Sequence, residues 1–174
     1  PDVSLISRGP VWAVGTPSRP IRFQAARPGR PWGALALQGP GTSGSLFRHV
    51  RFERGGGGVV DGIEYTGMIN VHWAREVVFD SIIVRDNLRS DDALHVVHAE
   101  VRVSDARFER ANADAIDFDY ATGVIERSYF LDAANDAIDL MGSSPVISGN
   151  EMLRSGDKGI SIGEASSPLV TDNR

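Results

Sequence analysis

Two stretches of the chain, ADAIDFD at residues 113–119 and NDAIDLM at residues 135–141, both carry Asp-Ala-Ile-Asp, offset by 22 residues. Carboxylates repeated at a fixed interval can do chemistry once a fold brings them into register. They can bridge a cation, and Ca²⁺ favours clustered carboxylate oxygens. They can share a proton, which couples their titrations, raises one apparent pKa and equips the pair for acid–base catalysis. They can also cap backbone amides at turns, which is structural work. Two unit charges about 5 Å apart repel by roughly 3 kcal/mol at an effective dielectric of 20 and by under about 1 kcal/mol in bulk water. Stacked acids therefore need one of these three forms of relief, or splay into water.

The elements that would position them are legible in the period. Leu94, Ile116, Ile138 and Ile160 stand at successive steps of 22, followed two places on by Val96, Phe118, Leu140 and Ile162. The same step links Val103, Ile125, Ile147 and Leu169, then Phe108, Phe130 and Met152, and the small residues Ala99, Ala121, Ser143 and Ala165. Within each unit, short alternating runs such as AIDFD and GVIERSYF are broken by Gly, Asn, Asp or Ser, the pattern of short strands and turns. A unit of that length cannot bury its own apolar face, but stacked units can. The expected fold is all-β: a single right-handed parallel β-helix of 22-residue coils, about seven in number, with neighbouring coils about 4.8 Å apart. Residues 1–174 read as one domain, a fragment or processed part of a longer chain.

The first coils are less regular. GMINVHW (67–73) matches DALHVVH with a step of 25, and SLFRHVRFERGG (45–56) resembles GVIERSYFLDAA. GTPSRPIRFQAA (15–26) and WGALAL (32–37) read as the opening coils, and Gly55–Gly58 as a surface loop that lacks the Lys-Ser/Thr and helix of a phosphate cradle. The repeat stops partway round a coil at Arg174, and an open coil end invites self-association or a partner chain.

Alternation then sorts the acids. With Leu94 and Val96 inward, the outward columns are Ala93, Ala115, Ala137, Gly159; His95, Asp117, Asp139, Ser161; and Val97, Asp119, Met141, Gly163. Asn70 joins the His95 column and His72 the Val97 column, giving a shallow groove with an Ala/Gly floor. Asp117, Asp119 and Asp139 are the expected Ca²⁺ ligands. His72 and His95 are expected to contact a ligand or, with Asp117, a transition metal. A second column at the turn holds Asp92, Asp114, Asp136 and Lys158, where capping is the leading expectation. Lys158, the only Lys in the chain, stacks on Asp136 as a salt-bridge end with a raised pKa.

Composition excludes some classes. There is no Cys, hence no disulfide and no thiolate metal site. No apolar run approaches the roughly 18 residues of a membrane span. Residues 1–90 hold 11 Arg against 7 acids, and residues 91–174 hold 7 basic residues against 16 acids. The acidic half argues against nucleic acid, which would want a basic stripe with aromatic platforms, and for cations or hydroxyl-rich ligands. A merely solvated acidic surface is the plainer alternative.

The 22-residue coils resemble the pectin-lyase-like superfamily of parallel β-helix proteins along nearly the whole chain. That resemblance implies a protein of the cell envelope or extracellular space that binds, and in many members cleaves, polysaccharide. Asn-Ala-Asp (112–114), Asn-Asp (135–136) and Asp-Lys-Gly (157–159) look like the active coils of polygalacturonase-type glycoside hydrolases. The resemblance places acid/base carboxylates at Asp114 and Asp136, with Asn135 at the first Asp of the family's pair and Lys158 at its His. Asp117 and Asp139 join them as candidate catalytic residues. A lyase reading pairs Ca²⁺ on the Asp cluster with Arg89 or Lys158 as base, and these two, with His72 and His95, are the expected substrate-binding residues. The opening coils are also similar to bacterial surface β-helix modules, which implies a structural or interaction role instead.

Overall fold

Short alternating strands separated by turn residues leave each coil dependent on its neighbours for both hydrogen bonds and core. The computed structural model, which describes residues 3–27 and 29–174, meets that need by stacking. Three parallel sheets run its length. The first comprises Leu5–Ser7, Leu35–Gln38, Gly67–His72, Asp92–Val97, Ile116–Asp119, Ile138–Met141 and Ile160–Gly163. The second comprises Trp12–Val14, Leu46–Arg48, Val77–Asp80, Glu100–Ser104, Thr122–Glu126, Val146–Ser148 and Leu169–Thr171. The third comprises Ile21–Gln24, Val50–Glu53, Ile83–Arg85, Arg107–Glu109, Tyr129–Leu131 and Glu151–Leu153. One strand from each sheet makes a coil. Six coils have all three, and the seventh has strands in the first and second sheets only, among the described residues. This is the expected parallel β-helix of seven coils. No helix among the described residues is long and apolar enough to cross a membrane.

The inward columns form the core. Leu94 faces Ile116, Ile116 faces Ile138, and Ile138 faces Ile160. Phe108 stacks on Phe130 with ring centroids 5.2 Å apart, Phe47 on Phe79 at 5.1 Å, and Phe23 on Phe52 at 5.0 Å. Each buried large apolar side chain contributes about 1.5–3 kcal/mol. The period slips once. One residue is inserted after Gly163, so Ser143 aligns with Ser166 and Ile147 faces Val170, displacing Ala165 and Leu169 from their expected columns. The solenoid also starts earlier than GTPSRPIRF, because Leu5–Ser7 and Trp12–Val14 open the first coil.

Three corners per coil carry residues with positive φ. The corner leaving the first sheet holds Trp73, His98, Tyr120, Gly142 and Ala165; the corner leaving the third holds Arg54, Asp86, Arg110, Asp132 and Arg154. A left-handed residue other than Gly costs roughly 1–2 kcal/mol. It is held because its N–H continues the ladder, as His98 does to the Asp119 carbonyl at 2.9 Å and Arg110 to the Leu131 carbonyl at 2.8 Å. Charges alternate up the third-sheet corner, with Arg110 on Asp86 and Arg154 on Asp132, both at 2.6 Å. These pairs are exposed, so each adds at most about 1 kcal/mol.

The Gly55–Gly58 run is not the surface loop expected. Gly55 is buried and bridged to Trp32, and a Cβ there would lie 2.4 Å from Met68 Cγ. Beyond it, Gly58–Val60 and Ile63–Tyr65 form an antiparallel hairpin joined by Asp61 and Gly62 at φ 51° and 77°. Positive φ at both positions is the type I′ geometry that Asp-Gly favours. The hairpin packs Val60, Ile63 and Tyr65 against Ile6, Ala34 and Ala36, covering the outer face of the first sheet over the first two coils.

Close coil stacking also fixes Gly123, at φ 133°, whose missing Cβ would lie 1.9 Å from the Val101 carbonyl oxygen. Gly123→Ala should therefore lower stability by about 2–4 kcal/mol, through backbone clash and strain together. Urea unfolding measures it, and an unchanged midpoint would contradict the register between these coils.

Candidate metal centre on the outer face of the first sheet

Leu94, Val96, Ile116, Phe118, Ile138 and Leu140 point inward and are at most 1% exposed. The residues between them therefore point outward. His95 faces Asn70 on one side and Asp117 on the other, Asp117 faces Asp139, and Asp139 faces Ser161. Val97 faces His72 and Asp119. These outward columns stand as expected, except for the alanines. Ala93, Ala115 and Ala137 belong to the core cluster. Two successive residues face inward at the bend into the first sheet, so alternation begins one residue later and the strip has no alanine floor.

The turn column does structural work at two of its levels. Asp114 Oδ1 accepts hydrogen bonds from the Asp136 N–H at 2.7 Å and the Asn135 side-chain amide at 2.9 Å. Asp136 Oδ1 accepts from the Lys158 N–H at 2.7 Å. Burial lifts the Asp114 carboxyl above its ordinary value against those hydrogen bonds. Both carboxylates are buried and each fastens one coil to the next, which is the capping role. Lys158 Nζ contacts Asp157 and lies 4.0 Å from Asp136 Oδ1; the hydrogen bond to Asp157, then the Asp136 charge, raises its pKa. Arg89 is exposed beside Gly56, at the root of the hairpin. A cap predicts an unequal pair of variants. Asp136→Asn keeps an acceptor oxygen and should change stability by under about 0.5 kcal/mol, whereas Asp136→Ala leaves an amide unpaired and should cost about 1–2 kcal/mol. Equal losses in chemical denaturation would contradict capping.

Asp92, at the same column, differs. Its Oδ2 accepts from the Thr66 hydroxyl at 3.1 Å, and that hydroxyl oxygen is 2.8 Å from His95 Nδ1. A threonine hydroxyl has one proton to give. Donating it to Asp92 requires His95 Nδ1–H to donate to the Thr66 oxygen. A neutral His95 ring then carries its lone pair on Nε2. That atom faces carboxylates, 3.3 Å from Asp119 Oδ2 and 3.7 Å from Asp117 Oδ2. Lone pair against carboxylate is repulsive unless a proton or a cation lies between. Thr66 is itself held by the turn that Asn70 secures, through bonds to the Gly67 N–H at 3.0 Å and the Gly67 carbonyl at 2.7 Å.

Around this point, one ligand atom each from Asp92, His95 and Asp117 lie within 4.8 Å of one another. The His72 ring centroid is 5.7 Å from that of His95 and 5.4 Å from that of Tyr65, whose hydroxyl bonds Gln38 at 3.1 Å. Two buried polar atoms have no hydrogen-bond partner here, His72 Nε2 and Asp117 Oδ1. The electrostatics agree. Burial, then the charges of Asp92, Asp119, Asp139 and Asp114, push the Asp117 carboxyl up to about 9. Burial, then Asp91, push Asp92 up to about 7 against the Thr66 hydrogen bond. Burial, then His95, push His72 down to about 4. Acids held protonated beside a histidine held neutral form a donor set short of positive charge.

One imidazole with two carboxylates, and a second imidazole beside them, suits a transition metal such as Zn²⁺ or Mn²⁺, whereas Ca²⁺ takes oxygens alone. Thr66, linking Asp92 to His95, is the kind of outer partner that fixes a ligand's tautomer. The structure thus gathers Asp117, Asp119, His95 and His72, keeps Asp139 next along the strip, and leaves Asp114, Asp136, Lys158 and Arg89 outside the cluster. Thr66 and the divergent role of Asp92 were not foreseeable from the period. The column of Thr66 continues as Asp91, Ala113 and Asn135, with no repeated residue type.

Comparison of the chain with protein-family models, with curated proteins and with solved structures finds no match.

Proposed function

We propose that the chain is a polysaccharide-binding β-helix domain of the cell envelope or extracellular space. Its ligand lies across the open outer face of the first sheet, anchored there through a divalent metal held by Asp92, His95 and Asp117, with His72 beside them. The observation that carries this reading is His95 Nε2 facing the side-chain oxygens of Asp119 and Asp117 at 3.3 and 3.7 Å, with buried unpartnered atoms on His72 and Asp117. A cation between Asp92, His95 and Asp117 would relieve the crowding of the acids around His95. Asp92, His72 and His95 are buried, while Asp117, Asp119 and Asp139 are the partly exposed residues of the same strip, so a ligand would meet the centre along that acidic edge, an extended surface that suits a polymer more than a small molecule. A metal in this place supplies Lewis acidity to a sugar hydroxyl or carboxylate oxygen. The chain's own residues orient it, with Thr66 setting the His95 tautomer and the hairpin closing one end of the strip.

Binding without cleavage is favoured by one specific observation: Asp114 and Asp136, the acid/base places of the hydrolase resemblance, are committed to backbone amides. The test is calorimetric titration with Zn²⁺, Mn²⁺ and Ca²⁺, followed by sedimentation with insoluble polysaccharides, each with and without EDTA. The expected result is one tight site for a transition metal, lost in His95→Ala, and polysaccharide retention that EDTA removes. Tight Ca²⁺ binding that survives His95→Ala would instead place the ion on Asp117, Asp119 and Asp139. Release of reducing ends during the same incubations would extend the reading from binding to cleavage.

A further inference from the structure

The corner where the chain leaves the first sheet differs from the other two. Its positions in the third, fourth and fifth coils are all aromatic: Trp73, His98 and Tyr120. They stack along the solenoid, with ring centroids 5.8 Å apart and planes at 20° for Trp73 and His98, and 5.1 Å and 16° for His98 and Tyr120. Trp73 is 52% exposed and Tyr120 56%. By contrast, the corner leaving the third sheet carries alternating Arg and Asp in ion pairs. Three exposed rings in left-handed backbone are costly twice over, in conformation and in exposed apolar surface, and an outlier of that kind points to function.

The two ends of the stack are unlike. Tyr120 lies over Gly142, where a Cβ would sit 2.6 Å from its ring, so its outer face is closed. The outer face of Trp73 looks toward the second coil, where the aligned residue is Gly39, whose N–H bonds the His72 carbonyl at 2.8 Å. A Cβ on Gly39 would meet nothing within 4 Å. One indole face is therefore backed by His98, the residue aligned on the other side has no side chain, and Trp73 is half exposed. The shelf adjoins the proposed centre directly: the Trp73 and His72 ring centroids are 6.0 Å apart, and those of His72 and His95 are 5.7 Å apart.

We infer that the outer face of Trp73, over Gly39, is a sugar-stacking subsite that receives a pyranose ring of the polysaccharide anchored at the neighbouring centre. The inference rests on the proposed polysaccharide binding and adds to it the residue that reads the apolar face of one sugar. An indole flanked by polar groups offers an apolar plate for C–H groups while the sugar hydroxyls stay wet. His98 and Tyr120 act as the buttress that keeps the indole plane fixed.

The test is calorimetry with a neutral cello-oligosaccharide and an acidic oligogalacturonate in saturating Mn²⁺, on wild type, Trp73→Ala, Trp73→Phe and His95→Ala. Because Trp73 is exposed, the variants should fold, and circular dichroism checks that they do. Trp73→Ala should weaken binding of the recognised sugar by about 10-fold or more, Trp73→Phe by less, and both should bind Mn²⁺ as wild type does. A second readout uses Trp12→Phe/Trp32→Phe, which leaves Trp73 as the only indole: the sugar should shift its fluorescence to the blue. Wild-type sugar affinity in Trp73→Ala, together with loss in His95→Ala, would overturn the subsite and leave the metal-anchored reading standing. No binding of either sugar by wild type, with the metal bound, would overturn both.

Discussion

Asp117→Asn should make the metal-free protein more stable at neutral and alkaline pH, an unusual outcome for replacing a charged residue on a polar surface. The Asp117 carboxyl is pushed up to about 9, first by burial and then by four neighbouring carboxylates, from a value near 4 in the unfolded chain. The sign follows. Below about pH 4 both states hold the proton, and its contribution to stability is fully present. Between about pH 4 and 9 the unfolded chain releases a proton that the folded chain keeps, so stability falls as pH rises, until the folded group titrates. Asparagine mimics the neutral carboxyl and does not titrate. The gain should grow with pH to on the order of 2–4 kcal/mol at about pH 8, or roughly 5–10 °C in Tm for a domain of this size. His72 slopes the other way. Its pKa is lowered to about 4, so it costs stability as pH falls through about 6.5 towards 4. Thermal melts in EDTA at several pH values measure both slopes. A variant destabilised equally at every pH would contradict the buried, crowded setting of Asp117.

Saturating Zn²⁺ or Mn²⁺ should reverse that ranking. A ligand that binds only the folded state stabilises it by about 4.1 kcal/mol at 1,000 times its dissociation constant, more than the advantage of Asp117→Asn without metal. Wild type should gain this, while Asp117→Asn and His95→Ala should gain little. Wild type therefore becomes the most stable of the three in metal and Asp117→Asn the most stable in EDTA. The two effects share one cause. Burial and the neighbouring acids keep Asp117 protonated, and a cation would favour its ionised form, so binding should also release protons and strengthen as pH rises. A melting temperature indifferent to every divalent ion would remove the metal and leave the protons held on Asp92 and Asp117 as the relief.

Much of this was legible in the sequence, because a solenoid turns a one-dimensional period into vertical contacts. Leu94–Ile116–Ile138–Ile160 and Asp117–Asp139 are both steps of 22 and both register pairs. The 25-residue step that brings His72 opposite Val97 was legible for the same reason. What escaped was whatever breaks the period. The insertion after Gly163 moves the last strand by one place without changing its composition. Asp61-Gly62 carried a hairpin signal, flanked by Val59, Val60, Ile63 and Tyr65, but lies in the irregular linker where no coil template applies. Thr66 acts across a corner, reaching His95 from 29 residues away, and contacts at corners depend on bends that alternation does not encode. Asp92 looked like Asp114 and Asp136 because all three share a column. Only Asp92 has Thr66 and His95 beside it, because the longer third coil brings them there.

Anomalous diffraction from crystals grown with Zn²⁺ or Mn²⁺ tests the central claim most directly. The account predicts one strong peak on the outer face of the first sheet, about 2.0–2.2 Å from His95 Nε2 and from carboxylate oxygens of Asp92 and Asp117. A face without a peak, with those three side chains placed as described here, would contradict it, as would an ion held by Asp117, Asp119 and Asp139 away from His95.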